Sequence, residues 1–284
     1  AEVAAGRDSF GLWMDADIEG VMVRFRWIPP GRFLMGSPEG QAGRWDDEGP
    51  QHEVTLTHGY WLADAPVTQA LWTTVMGENP SRFQSPDRPV EQVSWEACRD
   101  FLDLVNRRVF ATRDPKARRV TVRLPREAEW EHACRAGTWS ATWRGELQLQ
   151  QEEDAELLNP IAAYDHNTAF AIEVVDGFDA SVPAWLEVEG GSVPVRTKRP
   201  NLFGLYDMLG NVAEWCEDRW SFYAQDAGLR PPGPEASEER VVRGGAWRYA
   251  ARYQRAAYRS GFPPRYNNDF LGFRLALGLD GGDT

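Results

Sequence analysis

Lysine is almost absent from this 284-residue chain: Lys116 and Lys198 are the only two, and arginine carries the remaining positive charge. That bias has no functional meaning by itself. Positive charge as a whole is also short, with 31 basic against 43 acidic residues and a net charge of −12. Polyanions and anionic membranes need a basic footprint, so no nucleic acid and no membrane is expected as a main partner. Arg118–Arg119 and the arginines after Arg243 are local exceptions. No apolar run approaches the roughly 18 residues of a membrane-spanning helix. The opening residues lack a basic stretch followed by an apolar one, which reads as cytoplasmic. The first residue is Ala rather than Met, so a leader lost in processing stays open. Cysteine is limited to Cys98, Cys134 and Cys216, an odd, widely spaced set without a CxxC. That excludes a disulfide framework and reads as reduced thiols packed as small hydrophobes. His52, His58, His132 and His166 are too scattered for an iron-binding facial triad. The glycines form neither a P-loop nor a dinucleotide fingerprint.

Hydrophobic residues make up 42% of the chain, enough for a sizeable core in one domain. Val21–Trp27 reads as a strand, 29–32 as a turn and 33–36 as a second strand, together a hairpin. The 37–50 stretch reads as a polar loop whose Asp46–Asp47–Glu48 is solvated. Glu53–Leu56, Tyr60–Ala63 and Val120–Leu124 read as strands. Thr68 caps a helix carrying Leu71, Trp72, Val75 and Met76, and Gly77 stops it. Ser94 caps a second helix; Pro125 starts a third, which Gly137 stops. Glu127 and Glu129 lie two apart, on different faces, and complement the helix dipole rather than forming a catalytic pair. Helices gathered early and short strands throughout predict an α+β domain over 21–278. A lead-in covers 1–20, a surface insertion 169–193 and a tail 279–284.

An ordered set of short words runs through this domain. Pro30-Gly-Arg-Phe-Leu-Met-Gly-Ser37 and Pro66-Val-Thr-Gln69 come first. Gly77-Glu-Asn-Pro-Ser-Arg-Phe83, Pro89-Val-Glu-Gln-Val-Ser-Trp95 and Leu124-Pro-Arg-Glu-Ala-Glu-Trp130 follow. The set closes with Asn201-Leu-Phe-Gly-Leu-Tyr, Gly210-Asn-Val-Ala-Glu-Trp-Cys216, Arg243-Gly-Gly-Ala-Trp247 and Gly272-Phe-Arg274. In this order the words resemble the formylglycine-generating enzyme, or sulfatase-modifying factor, family. The resemblance implies an irregular C-type-lectin-like fold with short-stranded sheets and a few helices. Founding members oxidise a substrate cysteine with a copper ion held by two cysteines after the Gly-Gly word. From Trp247 to Gly272 this chain has no cysteine, so neither that chemistry nor copper is expected. Iron-dependent sulfoxide synthases of the family draw ligands from an additional helical domain, so iron is not expected either. A pyoverdine-maturation type and the variable proteins of diversity-generating retroelements remain as branches.

The family carries a structural calcium at the word Asn211 to Asp218, which would use Asn211, Val212 and Glu214. The residues alone also allow Asn211 to end a turn through its side chain. Between the last two glycine words the chain is dense in Arg, Tyr, Asn and Phe, types that suit ligand contact. The expected ligand-binding residues are Trp247, Arg248, Tyr249, Tyr253, Tyr258, Ser260, Phe262, Arg265, Tyr266, Asn267, Asn268, Asp269 and Phe270. Arg243, Arg259 and Arg274 read as frame residues paired with carboxylates such as Asp207 or Glu214. The expected function is binding of a protein or small molecule through 247–270, with an oxidoreductase of the same family as the alternative.

Overall fold

A computed structural model describes residues 4–110, 120–149, 156–168, 190–223 and 238–279. In chain order its strands are β1 (Ala4–Asp8), β2 (Gly11–Ile18), β3 (Val21–Ile28), β4 (Gly31–Met35), β5 (His52–Leu56), β6 (Tyr60–Ala63), β7 (Val120–Arg123), β8 (Ala213–Arg219), β9 (Arg240–Arg243), β10 (Arg259–Phe262), β11 (Leu271–Gly272) and β12 (Ala276–Leu279). The main helices are α1 (Gln69–Met76), α2 (Trp95–Arg108) and α3 (Glu127–Arg135). Among the described residues the strands form a six-stranded sheet, β1-β2-β3-β6-β12-β7, a four-stranded sheet, β10-β9-β8-β11, and the pair β4-β5. This is the short-stranded α+β architecture expected. No described helix is long and apolar enough to cross a membrane.

The helix signals work because they are local. Thr68 accepts a hydrogen bond from Leu71 N at 3.3 Å, and Gly77 closes α1 in the left-handed region at φ 86°. Ser94 accepts from Ala97 N at 3.1 Å and caps α2. The third helix begins two residues after Pro125, because the Glu129 carboxylate reaches back to Arg126 N at 2.8 Å and places the cap there.

Pairing signals fare less well. The expected hairpin between β3 and β4 does not form: β3 pairs with β2 and β6, and β4 pairs with β5. Tight hairpin turns need positive φ at a central residue. Pro29–Pro30 cannot supply it and offers no amide donors, so the chain leaves the sheet there. Residues 4–18, inside the expected lead-in, form the edge strand of the large sheet and the strand next to it. Asp8 holds them on, its carboxylate bound to Arg26 of β3 at 2.8 Å. Most of the 169–193 insertion lies outside the described residues; of it, 190–193 are seen beside Asn211. The tail beyond Leu279 also lies outside them.

Two apolar clusters fill the interior. One gathers Phe25, Trp72, Phe101, Trp215 and Phe273 between the large sheet, α1 and α2. The other surrounds Trp130 of α3 with Leu62, Tyr164, Met208 and Val241. Between them the chain passes Gly210 at φ 76°, where an added Cβ would lie 2.1 Å from the Ala163 carbonyl oxygen. Gly210→Ala therefore meets both a forbidden φ and a backbone clash. It is expected to destabilise by about 3 kcal/mol in urea unfolding; a change below about 1 kcal/mol would mean that the Ala163 loop moves freely.

Candidate functional site

The segment between β9 and β11 is a long excursion anchored by buried arginines. Arg243, at the end of β9, donates to the carbonyls of Ala256, Ala257 and Tyr258 at 2.8, 2.8 and 2.6 Å. Its guanidinium also pairs with Glu131 of α3. Arg255 forks onto Glu48 and donates to the Gly43 carbonyl at 2.7 Å. Arg259 forks onto Glu127 at 2.7 Å on both arms. Arg274 forks onto Glu214 at 2.6 Å on both arms. All eight of these side chains are buried. A planar guanidinium on a carboxylate fixes distance and orientation together. The segment is thus clamped at four points to elements distant in sequence.

Three expectations are corrected here. The frame arginines do sit in ion pairs, and Arg274 takes Glu214. Arg243 and Arg259, however, take Glu131 and Glu127 rather than Asp207. Glu127 and Glu129 are not simply dipole-complementing acids, since Glu129 also forks onto Arg123 at 2.7 Å. Glu48 is not solvated: its side chain is fully buried against Arg255 and accepts from Ser37 Oγ at 2.7 Å. The loop lacks any local sign of this because the partner lies 207 positions away.

Inside the clamps lies a continuous set of aromatic rings. Tyr253 contacts Tyr249 at 5.6 Å and Tyr258 at 5.1 Å between ring centroids. Tyr249 continues to Phe270 at 5.1 Å, Phe270 to Phe262 at 6.1 Å, and Phe262 stacks on Tyr266 at 4.8 Å. Tyr249, Tyr253, Tyr258, Phe262 and Tyr266 are half-buried, and Tyr249, Phe262 and Tyr266 pack one side on the core. Arg248 and Arg265 stand outside, paired with Asp269 and Glu96, both at 3.2 Å. Asn267 is exposed, Ser260 half-buried, and Asn268 donates from Nδ2 to the Tyr266 hydroxyl at 2.9 Å. Trp247, Asp269 and Phe270 are buried and belong to the support. Trp247 Nε1 donates to the Asp269 carbonyl at 2.9 Å, and the ring meets Phe83 edge-on. Sequence reasoning missed Trp45, an exposed residue whose ring extends the set beyond Tyr253 at 6.1 Å. A lone tryptophan in an acidic loop was the available signal.

The residues named for metals make other bonds. Asn211 accepts from Val193 N at 3.0 Å and donates to Val193 O at 3.1 Å. Both Glu214 oxygens face Arg274, and one also accepts from Trp130 Nε1 at 2.8 Å. Val212 is buried between them and the Gly272 backbone. A cation there would have to displace a guanidinium and a backbone amide, so as arranged these residues do not fit calcium. The donor set does not fit a two-thiolate copper site either. Cys98, Cys134 and Cys216 are buried and unpaired, and burial pushes the Cys134 thiol up to about 12. His132 is packed between Phe33 and Phe203, where burial lowers its pKa and favours the neutral ring.

Beside Phe83, whose ring meets Trp247 edge-on, sits a buried acid that the sequence reading passed over. Glu91 Oε1 accepts from Phe83 N at 2.9 Å, while Oε2 is buried with no partner. Burial, reinforced by the Asp269 carboxylate, raises its pKa from 4.5 to about 7 against the pull of the Phe83 and Arg82 amides. A raised carboxyl pKa means that the folded chain holds a proton the unfolded chain releases. The stabilisation is complete below the unfolded value and is lost as pH climbs to the folded one. Glu91→Gln should therefore gain on the wild type between about pH 4.5 and 7, by on the order of 2 kcal/mol. Urea melts at pH 5 and 8 measure this; a pH-independent difference would show that the carboxyl titrates normally.

Comparison with known proteins agrees with this architecture. Residues 19–279 match the model of the sulfatase-modifying factor enzyme 1-like domain, a stretch that starts just after β2. The formylglycine-generating enzyme of Mus musculus is 31% identical over 235 residues, covering 79% of this chain and 53% of the relative. The chain spans about half the length of the curated relatives that it matches in this way. Treponema denticola variable protein 1 superposes with a TM-score of 0.71 at 25% identity, over 93% of this chain and 98% of that one. PvdO from Pseudomonas aeruginosa gives a TM-score of 0.68 at 24% identity, over 91% and 95%, a likeness of fold. With its words in order, its fold and the span of the match, the chain belongs to the sulfatase-modifying factor, or formylglycine-generating enzyme, family.

Proposed function

We propose that this chain acts by binding, through the half-buried aromatic face of residues 247–270 extended by Trp45. The observation that carries this reading is the division of labour among the side chains. The segment's buried arginines all face glutamates, while Tyr249, Tyr253, Tyr258, Phe262 and Tyr266 keep an open side. Stiff aromatic rings on a rigid support give contact area with little ordering cost. The likeness to a protein named variable protein 1 favours the same reading. So does the scaffold: the clamps do not involve the open rings, so the latter can change without loss of the frame. If a diversity-generating retroelement diversifies the segment, its locus holds a template repeat and a neighbouring reverse transcriptase. Sequencing that locus tests the point, and the absence of both removes it.

The alternative is an oxidoreductase of the family, favoured by the 31% identity to formylglycine-generating enzymes and opposed by the missing cysteine pair. Two measurements separate the readings. Immobilised wild-type chain and its Tyr253→Ala, Tyr266→Ala variant are offered the same lysate of the source cells; identical retained partners would remove the binding reading. Oxygen uptake on a cysteine-containing peptide, with metal analysis of the purified protein, would establish the oxidoreductase if uptake and stoichiometric copper or iron appear together.

A further inference from the structure

One end of the aromatic face contains a carboxylate that the frame leaves unneutralised. The short 3-10 turn Asp46–Glu48 is held from below. Glu48 is clamped by Arg255, and the Asp47 carbonyl accepts from Arg259 Nη1 at 3.3 Å. Trp45, just before this turn, meets the aromatic face at Tyr253, and the bond from Arg259 ties the Asp47 backbone to the residue next to Tyr258. Trp45 lies nearly parallel to Tyr253, at 19° and 6.1 Å, and Tyr253 meets Tyr258 edge-on at 5.1 Å. The Asp47 carboxylate is close enough to help raise the Tyr258 phenol, which burial and Tyr253 push up to about 12. Three rings and one acid therefore close a corner.

No guanidinium forks onto Asp47 among the described residues. Arg259 forks onto Glu127, Arg255 onto Glu48, and Arg243 pairs with Glu131. Asp47 is half-buried, and its pKa is raised chiefly by burial, with Glu48 adding to the effect and Arg259 opposing it. Charge in this position lacks a fixed counterion. Ring faces attract cations, and a carboxylate beside them adds Coulomb attraction that is weakly screened where water is partly excluded. Arg252 already places a cation 5.1 Å from the Trp45 ring centroid and 5.9 Å from that of Tyr253, so these rings accept a cation, and a ligand ammonium would take its place. The overall charge of −12 favours approach of a cation.

We propose that Trp45, Tyr253, Tyr258 and Asp47 form a receptor corner for an alkylammonium group, and that the ligand of the aromatic face carries one. This rests on the binding reading and names the chemistry of its ligand. A compact ammonium fits the corner better than a phosphate or carboxylate, which Asp47 repels.

The probe is choline, compared with 3,3-dimethylbutan-1-ol, its uncharged isostere, by NMR titration of the tryptophan indole NH signals of the full chain. Choline is expected to shift the Trp45 signal and to bind at least about tenfold more tightly than the alcohol. Asp47→Asn should reduce that preference about tenfold and leave the melting temperature unchanged, because Asp47 is only half-buried. Trp45→Leu should abolish the shift with the fold intact. Arg252→Ala, which removes the resident cation, should tighten choline binding. Equal affinity for the two probes, or a preference that survives Asp47→Asn, overturns the inference. Partner capture lost in Tyr253→Ala, Tyr266→Ala while choline fails to bind leaves the binding reading standing and this inference refuted.

Discussion

Glu131→Ala lowers the unfolding temperature by roughly 10 °C, the largest drop expected from any single change in the frame. Glu131 is completely buried. One of its oxygens accepts from Gly36 N at 2.9 Å and Arg135 Nε at 2.8 Å, and the other takes Arg243. Deleting the carboxylate strands two buried guanidiniums and a backbone amide at once. Breaking a buried pair from one side costs about 3–5 kcal/mol, because the remaining charge has lost both water and partner. Among the described residues Glu127, 3.8 Å from Arg243 Nε, is the only other acid paired with that guanidinium, and it is already forked onto Arg259. A double-mutant cycle with Arg243→Ala should show strong coupling, so that the double variant loses far less than the sum of the single ones. Arg265→Ala is the contrast: its pair with Glu96 is 3.2 Å long but exposed, and its loss should shift melting by about 1 °C or less. A drop below about 3 °C for Glu131→Ala would mean that the network relaxes around the gap.

That network also marks the limit of what the sequence reveals. Caps are readable because their partners lie three residues apart, as Thr68 to Leu71 and Ser94 to Ala97 do. Ordered family words are readable because each is a short contiguous string. The pairing of Arg243 with Glu131 spans 112 positions, and Arg255 with Glu48 spans 207. Nothing in a local window chooses between several glutamates for several arginines, so Glu48 resembled a solvated loop acid and Asp207 a plausible partner. The same reason hid the contact of Trp45 with Tyr253. Strand partners fail likewise: the proline pair marked where β3 ends but not that β6, over thirty positions later, would take its edge. Within the segment itself the named residues divide by burial. Trp247, Asp269 and Phe270 support from beneath, while five half-buried rings form the face.

Tyr253→Ala combined with Tyr266→Ala should weaken partner binding by two to three orders of magnitude. Central aromatic anchors commonly contribute about 2 kcal/mol or more each, and about 1.4 kcal/mol is tenfold in affinity. The two rings sit at opposite ends of the face. Tyr253 joins Trp45, Tyr249 and Tyr258, whereas Tyr266 stacks on Phe262. Their effects should accordingly be near-additive. Stability changes less but is not untouched, since each ring has one side on its neighbours. A loss of about 1–2 kcal/mol in total is expected, worth a few degrees of melting temperature. The frame sets this difference. Neither tyrosine belongs to a buried ion pair, and the clamps at Arg243, Arg255, Arg259 and Arg274 remain whole. The decisive comparison is with Glu131→Ala at a temperature where both variants are folded. The frame variant should retain most of its affinity while melting early, and the double tyrosine variant should do the reverse. If instead the double tyrosine variant keeps its affinity, the ligand does not sit on this face. If it melts as early as Glu131→Ala, those rings are core, and the division between clamp and face does not hold.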